Sequence, residues 1–309
     1  MSSPDNRAGL RAQLDTLVTE SSNDRLGDLS ALATADLVAA MNREDAAVPA
    51  AVAGATAVIA GAIDRIVERM RDGGRLIYVG AGTPGRLGIL DASECPPTFG
   101  TSPDLVVGVI AGGTAAIQSA VENAEDDESA GAADMAELRL TPRDSVIGIS
   151  ASGRTPYVLA AIAAASAAGA LTVGFSANSG SPLGASADIA LEIEVGPEIL
   201  TGSTRLKAGT SQKMVLNMIS TIAMVRLGKT YRNLMVDLRA TNEKLRVRSE
   251  QTIVRATGTD TATAAAVLDS VGGSVKAAIL VIMTGLPPEH AFEMLRRNGG
   301  DLGRAVSPT

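Results

Sequence analysis

Cysteine is nearly absent, with Cys95 alone among 309 residues. A single thiol excludes an internal disulfide framework and fits a reducing, cytoplasmic setting. Histidine is equally scarce, His290 being the one example, and no cluster of His, Cys and Asp has metal-ligand spacing. The expectation is therefore chemistry with no metal. Tryptophan is missing and aromatic residues make up 2% of the chain, too few to build stacking platforms for single-stranded nucleic acid. Basic residues are in deficit: 27 Lys and Arg stand against 34 Asp and Glu, a formal net charge of −7. That balance removes any general attraction to nucleic acid or to an anionic membrane, so an anionic ligand must be held by local donors. The opening residues Ser2 to Arg7 lack the apolar core of a signal peptide. The segment Thr155 to Ala187 carries no charge, but Gly169, Gly174, Gly180 and Pro182 interrupt it. It reads as a buried helix followed by a buried strand, not as a membrane span.

What the chain does have is a central stretch from Gly73 to Pro97. Its apolar run Leu76-Ile77-Tyr78-Val79 is followed by Gly80-Ala81-Gly82-Thr83-Pro84-Gly85. This predicts a buried strand turning sharply into a helix, with Thr83 as N-cap and Pro84 at the first helical position. The first N–H groups of a helix lack intrahelical partners and lie at the positive end of its dipole, which suits a phosphate.

Further apolar runs follow at Leu105–Ile110, Ser145–Ile149, Leu171–Ser176 and Ile189–Val195, alternating with helix-like segments. The predicted helices include Thr34 to Met41, one continuous helix over Ala47 to Arg71, Thr114 to Glu122, Tyr157 to Ala168, Thr210 to Leu227 and Leu234 to Ala256. Alternation of this kind predicts an α/β fold, a doubly wound and mostly parallel five-stranded sheet whose ligands collect beyond the carboxyl ends of the strands. With 46% hydrophobic residues the chain can bury a large core. Four segments are expected: an N-terminal arm and helix over 1–46, a ligand-binding domain over 47–230, a connecting helix over 231–257, and a helical module over 258–309 with three short helices split at Gly272-Gly273 and Gly285–Pro288. From the residues alone that last piece is a compact helical module.

The strongest local chemistry lies in two turns rich in hydroxyls. Ser150-Ala151-Ser152-Gly153-Arg154-Thr155-Pro156 sets several hydroxyls and free N–H groups at a helix start, as the Thr83 turn does on a smaller scale. Either turn alone reads equally well as simple N-capping. Two of them in one sheet, each after a buried strand, favour an anion site.

The Ser-x-Ser-Gly-x-Thr pattern at Ser150 to Thr155 resembles sugar isomerase domains, which bind phosphosugars. The run from Gly80 to Gly100, with Asp91-Ala92-Ser93-Glu94-Cys95-Pro96-Pro97-Thr98, resembles the N-acetylmuramic acid 6-phosphate etherase family within that group. Val121–Asp126, Thr201–Thr210 and Asn233–Asp237 match it as well, so the likeness runs from about Thr19 to Arg304. The C-terminal module resembles a small ubiquitin-associated-type fold of three helices.

The resemblance implies a cofactor-free lyase of cell-wall sugar recycling. Such an enzyme removes D-lactate from N-acetylmuramic acid 6-phosphate and leaves N-acetylglucosamine 6-phosphate, and it works as a homodimer in the cytoplasm. Opening the sugar exposes an aldehyde that acidifies the C2 proton, and the lactyl ether at C3 then leaves. Water adds back through the same acid and base in reversed roles. By the family's motifs the two groups are Glu94, expected as the acid in an apolar setting flanked by prolines, and Glu125, expected as the base. The assignment of acid and base can also run the other way. Glu125 sits in a run of acids, Glu122 to Glu128, of a kind usually found solvated.

Expected phosphosugar contacts are Thr83, Gly85, Ser150, Ser152, Gly153, Thr155, Ser203 and Lys207. Lys207 and Arg205 are open between a ligand anion and Glu198, itself a third candidate carboxylate. Pro84 departs from the family, which usually has Ser there, and removes a hydroxyl and an N–H from the first turn. The alternatives are a non-catalytic phosphosugar-binding regulator and an aldose–ketose isomerase. The paired Glu94 and Glu125 count against the first, and the Asp91 to Gly100 match counts against the second. His290 and Cys95 read as structural.

Overall fold

The computed structural model describes residues 14, 16–24, 27–237 and 243–307. They form two compact units, Met1–Ala92 with Asp104–Ile219 and Ser93–Pro103 with Ser220–Thr309. The N-terminal arm expected within 1–46 lies partly outside the described residues.

In the first unit, α1 (Thr34–Asp45), α2 (Val48–Gly54) and α3 (Thr56–Arg71) lead into β1 (Leu76–Gly80). Helix α4 (Gly82–Phe99) follows, and its last residues belong to the second unit. Then come β2 (Val106–Ile110), α5 (Ala115–Gln118), α6 (Glu128–Glu137), β3 (Ser145–Ile149), α7 (Pro156–Ala167), β4 (Leu171–Ser176), α8 (Pro182–Ser186), β5 (Ile189–Glu192) and α9 (Lys207–Arg226). The five strands pair in the order β2-β1-β3-β4-β5, all parallel. The uncharged segment from Thr155 resolves into buried helix α7 and buried strand β4, and among the described residues no single helix is long and apolar enough to cross a membrane.

Both faces of the sheet are covered, so β1, β3 and β4 are buried along their whole length. On one face Ile77, Val79 and Val146 pack with Met135 of α6 and with Tyr157, Val158, Ala161 and Ile162 of α7. On the other, α4 lies directly on the strands. A Cβ on Gly88 would come within 2.9 Å of the Tyr78 Cβ, and one on Gly108 within 2.7 Å of the Ile89 Cα, so glycine is what allows this approach. Tyr78 donates from its hydroxyl to buried Asp91 at 2.9 Å, and Asn217 of α9 donates to the other oxygen of that carboxylate at 2.6 Å.

Several predicted boundaries shift. The single helix expected over 47–71 breaks at Ala55, between the weak helix former Gly54 and Thr56, whose hydroxyl donates to the Ala53 carbonyl at 2.7 Å. The helix expected over 114–122 stops at Gln118. Helix α9 starts three residues early because the buried Glu198 carboxylate accepts from the Lys207 and Ala208 N–H groups at 2.9 and 3.0 Å and so caps it.

The second unit holds a short antiparallel pair, β6 (Thr230–Tyr231) and β7 (Leu234–Met235). It also holds α10 (Glu243–Thr257), α11 (Thr261–Ser270), α12 (Val275–Thr284), α13 (Pro288–Arg297) and α14 (Leu302–Val306). Leu234 therefore opens a strand and not the predicted helix, because Arg232 at φ 54° turns the chain back on itself. Ile253, Leu268, Ile279, Leu280 and Leu302 form a core of its own for this unit. The breaks fall at Gly272-Gly273 and around Gly285 as the sequence suggests, and α14 adds a helix beyond the three expected.

At the amino ends of the strands Arg75 grips Asp144 with Nε at 3.0 Å and Nη2 at 2.9 Å, while the backbone N–H groups of Arg75 and Thr141 donate at 2.9 and 2.8 Å. Burial alone would raise the Asp144 carboxyl, but these donors together hold it below the usual carboxylate range. A depressed carboxylate adds stability that is present above its unfolded pKa of about 3.9 and is lost as pH falls through the lower folded value. Asp144→Asn should cost about 1.5–3 kcal/mol at pH 7 in urea unfolding. It should also flatten the loss of stability below about pH 4, which the wild type will show.

Candidate functional site

Strands β1 and β3 are neighbours, and their last residues, Gly80 and Ile149, are partners in register. The two hydroxyl turns therefore leave the sheet side by side, about 4.8 Å apart at their origins. In a sheet of this order the chain winds outward in opposite directions from β1 and β3, and the crevice between them is where α/β proteins receive ligands.

The β1 turn is tight. A Cβ on Gly80 would lie 2.7 Å from the Gly85 nitrogen, and one on Gly85 would lie 2.6 Å from Ile110 Cγ1, so the first turn of α4 presses onto the strand end. The helix is assigned from Gly82, at φ 58°, so Thr83 lies inside the first turn and is not the cap ahead of it. Pro84 occupies a first-turn position, where its missing N–H breaks no helical bond.

In the β3 turn the Ser150 hydroxyl accepts from Gly153 N–H at 3.0 Å and shares hydrogen bonds with Thr155 Oγ1 at 2.8 Å and Ser152 Oγ at 3.3 Å. Ser152 Oγ in turn accepts from Arg154 N–H at 3.2 Å. Three hydroxyls thus gather ahead of α7, whose cap residue Thr155 spends no side-chain bond on the helix. Behind them burial, together with the hydrogen bond to Asp134, pushes the Tyr157 phenol above its ordinary pKa, so it stays protonated.

The start of α9 approaches the β1 turn. A Cβ on Gly209 would sit 3.5 Å from Thr83 Cγ2. Ser203 lies half-buried in the turn just before, its N–H bound to the Leu200 carbonyl at 2.9 Å. The Lys207 side chain, 2% exposed, pairs with Glu44 Oε2 at 2.9 Å. Glu198, considered as a site carboxylate, is instead the α9 cap. Two residues escaped the sequence reading. Asn178 lies just beyond β4 and donates to the Ala151 carbonyl at 2.9 Å and to Thr19 Oγ1 at 3.1 Å, tying the N-terminal segment to the β3 turn. Its position past a strand's carboxyl end was the signal available for it. Asp91 carried no such signal, because only packing shows it to be buried.

Glu125 is exposed in a single turn of 3₁₀ helix (Ala124–Asp126) entered through Asn123 at φ 59°. Glu94 belongs to the second unit. The desolvated setting expected for it is absent in the single chain, where Glu94 is exposed. The helix continues through Pro96 and Pro97 and turns Cys95 inward, which leaves the preceding residue on the open side. Glu94 lines a cavity of about 660 Å³ within that unit, together with Pro96, Thr101, Met235, Leu245 and Arg248 among others. Among the described residues no group of three His, Cys, Asp or Glu side chains could hold a metal ion.

Residues 113–222 match the SIS domain family model, and residues 58–166 match that of the glucokinase regulatory protein N-terminal SIS domain. A Streptomyces avermitilis protein named N-acetylmuramic acid 6-phosphate etherase is 53% identical over 99% of this chain and 99% of its own length. The chain belongs to the N-acetylmuramic acid 6-phosphate etherase family. A Rubrobacter xylanophilus etherase of the same name is 56% identical over 92% of this chain and 94% of its own. Among solved structures, a phosphoheptose isomerase from Francisella tularensis superposes with a TM-score of 0.50 at 19% identity, covering 63% of this chain and all of that one. That last likeness bears on the etherase fold alone.

Gly153 holds φ 68°, and a Cβ there would come 2.4 Å from the Ser181 Cβ. Gly153→Ala should lower the midpoint of thermal unfolding by several degrees, about 1–3 kcal/mol, and disorder the Ser150 hydroxyl cluster. Differential scanning calorimetry will read the first effect.

Proposed function

We propose that this chain is a carbon–oxygen lyase that cleaves the D-lactyl ether of N-acetylmuramic acid 6-phosphate, giving N-acetylglucosamine 6-phosphate and D-lactate. One observation carries the reading: relatives that share half their residues with it over almost their whole length are named for this activity. The adjacent hydroxyl turns support it, because a phosphate monoester needs many short-range donors in a protein of net charge −7.

In this reading Ser150, Ser152, Thr155 and the Gly153 N–H hold most of the phosphate. Thr83 and Gly85 supply the remainder. Ser203 completes the set with Lys207, which must leave Glu44 to reach the ligand. Glu94 protonates the departing lactyl oxygen and Glu125 removes the C2 proton. Water then returns to C3 with the roles reversed, as microscopic reversibility requires. The residues need only one acid and one base, because the ring-opened aldehyde supplies the acidity at C2.

A non-catalytic phosphosugar sensor is not favoured, since near-full-length relatives carry the enzyme's name, whereas the regulatory-protein likeness spans residues 58–166 alone. We also read the protein as a cytoplasmic homodimer in peptidoglycan recycling, and its C-terminal module as similar to the ubiquitin-associated fold.

Purified protein supplied with N-acetylmuramic acid 6-phosphate should release D-lactate, and in deuterated water the product should carry deuterium at C2. Absence of lactate would sink the assignment. Glu94→Gln and Glu125→Gln should each lower kcat by about 10²–10⁴-fold with little change in KM. Ser152→Ala should raise KM for the phosphosugar and leave kcat nearly unchanged. An unaltered KM would remove the β3 turn from the phosphate site.

A further inference from the structure

The cavity that Glu94 lines is formed by the second unit alone, and its walls carry two ionisable side chains, Glu94 and Arg248. Neither has an ion pair or hydrogen bond within the described residues. Arg246, two positions away on α10, is in contrast fully engaged, with Glu250 at 3.4 Å and Asp269 at 2.6 Å. The remaining wall is mostly apolar, with Pro96, Met235 and Leu245.

These features describe a ligand with one anionic group and a small apolar part, placed beside a carboxylic acid. Building on the etherase reading, we propose that Arg248 binds the carboxylate of the substrate's lactyl group and makes the enzyme selective for an ether that bears a free acid. A guanidinium meets a carboxylate through two parallel N–H donors, a geometry that lysine cannot reproduce. The methyl group of the lactyl unit rests on Met235 and Leu245, which line the same cavity. Arg248 holds the leaving group, while Glu94 acts on it.

The test compares two substrates on each enzyme: N-acetylmuramic acid 6-phosphate, and its analogue with the lactyl carboxylate converted to a primary carboxamide. The wild type should favour the acid by about 10- to 100-fold in kcat/KM, the worth of a charge-assisted bidentate contact. Arg248→Gln should lose that factor on the acid and change little on the amide, bringing the ratio to near one. Arg248→Lys should recover part of it. Equal losses on both substrates, or an unchanged ratio, would overturn the assignment. Because the ratio is taken within one preparation, a partly misfolded variant does not obscure it.

Wild-type protein that cleaves neither substrate would sink the etherase reading itself. Calorimetric titration with D-lactate then decides Arg248 separately: binding to the wild type that is lost in Arg248→Gln supports the contact, and equal heats reject it.

Discussion

Parallel pairing of β1 with β3 is the constraint from which the rest of the first unit follows. Their register sets Gly80 against Ile149, so whatever follows each strand must emerge at one place on the same edge of the sheet. For the β1 turn to leave at once into a helix, that helix must press onto the strand, which only Gly80 and Gly85 together allow. The Ser150 cluster follows directly from the neighbouring strand end. The hydroxyl site is thus a product of sheet order and glycine placement as much as of the serines themselves.

The residues proposed for the chemistry occur in both units. The first carries the hydroxyl turns, the α9 start capped by Glu198, and Glu125. The second carries Glu94 and the cavity that also presents Arg248 and Thr101. Phosphate recognition and ether chemistry ask for different surroundings: many neutral donors at a helix start for the dianion, and an apolar wall with few polar groups for the lactyl unit.

Strands and turns were legible because their signals are local. Four or five apolar β-rich residues in a row, closed by glycine or by serine and proline, name both a buried parallel strand and the turn beyond it. Helix limits were less legible. Gly54 and Thr56 break a helix whose apolar spacing runs on unbroken, and Arg232 reverses the chain in a segment that scans as helical. In both cases backbone preferences at one or two residues override periodicity. The same applies to side chains. Glu94 beside two prolines reads as buried, yet the helix passes straight through Pro96 and Pro97 and buries Cys95 in its place.

The sequence by itself determined the fold class, the two hydroxyl turns and the family, since each depends on residues close together in the chain or on long runs of identity. Tertiary structure alone decided which turns are neighbours, that Lys207 is held by Glu44 while Glu198 caps a helix, and that Arg248 shares a wall with Glu94. Those facts depend on pairings between residues far apart in the chain, and the free energy of a buried charge is set by whichever partner packing brings to it, which no local pattern records.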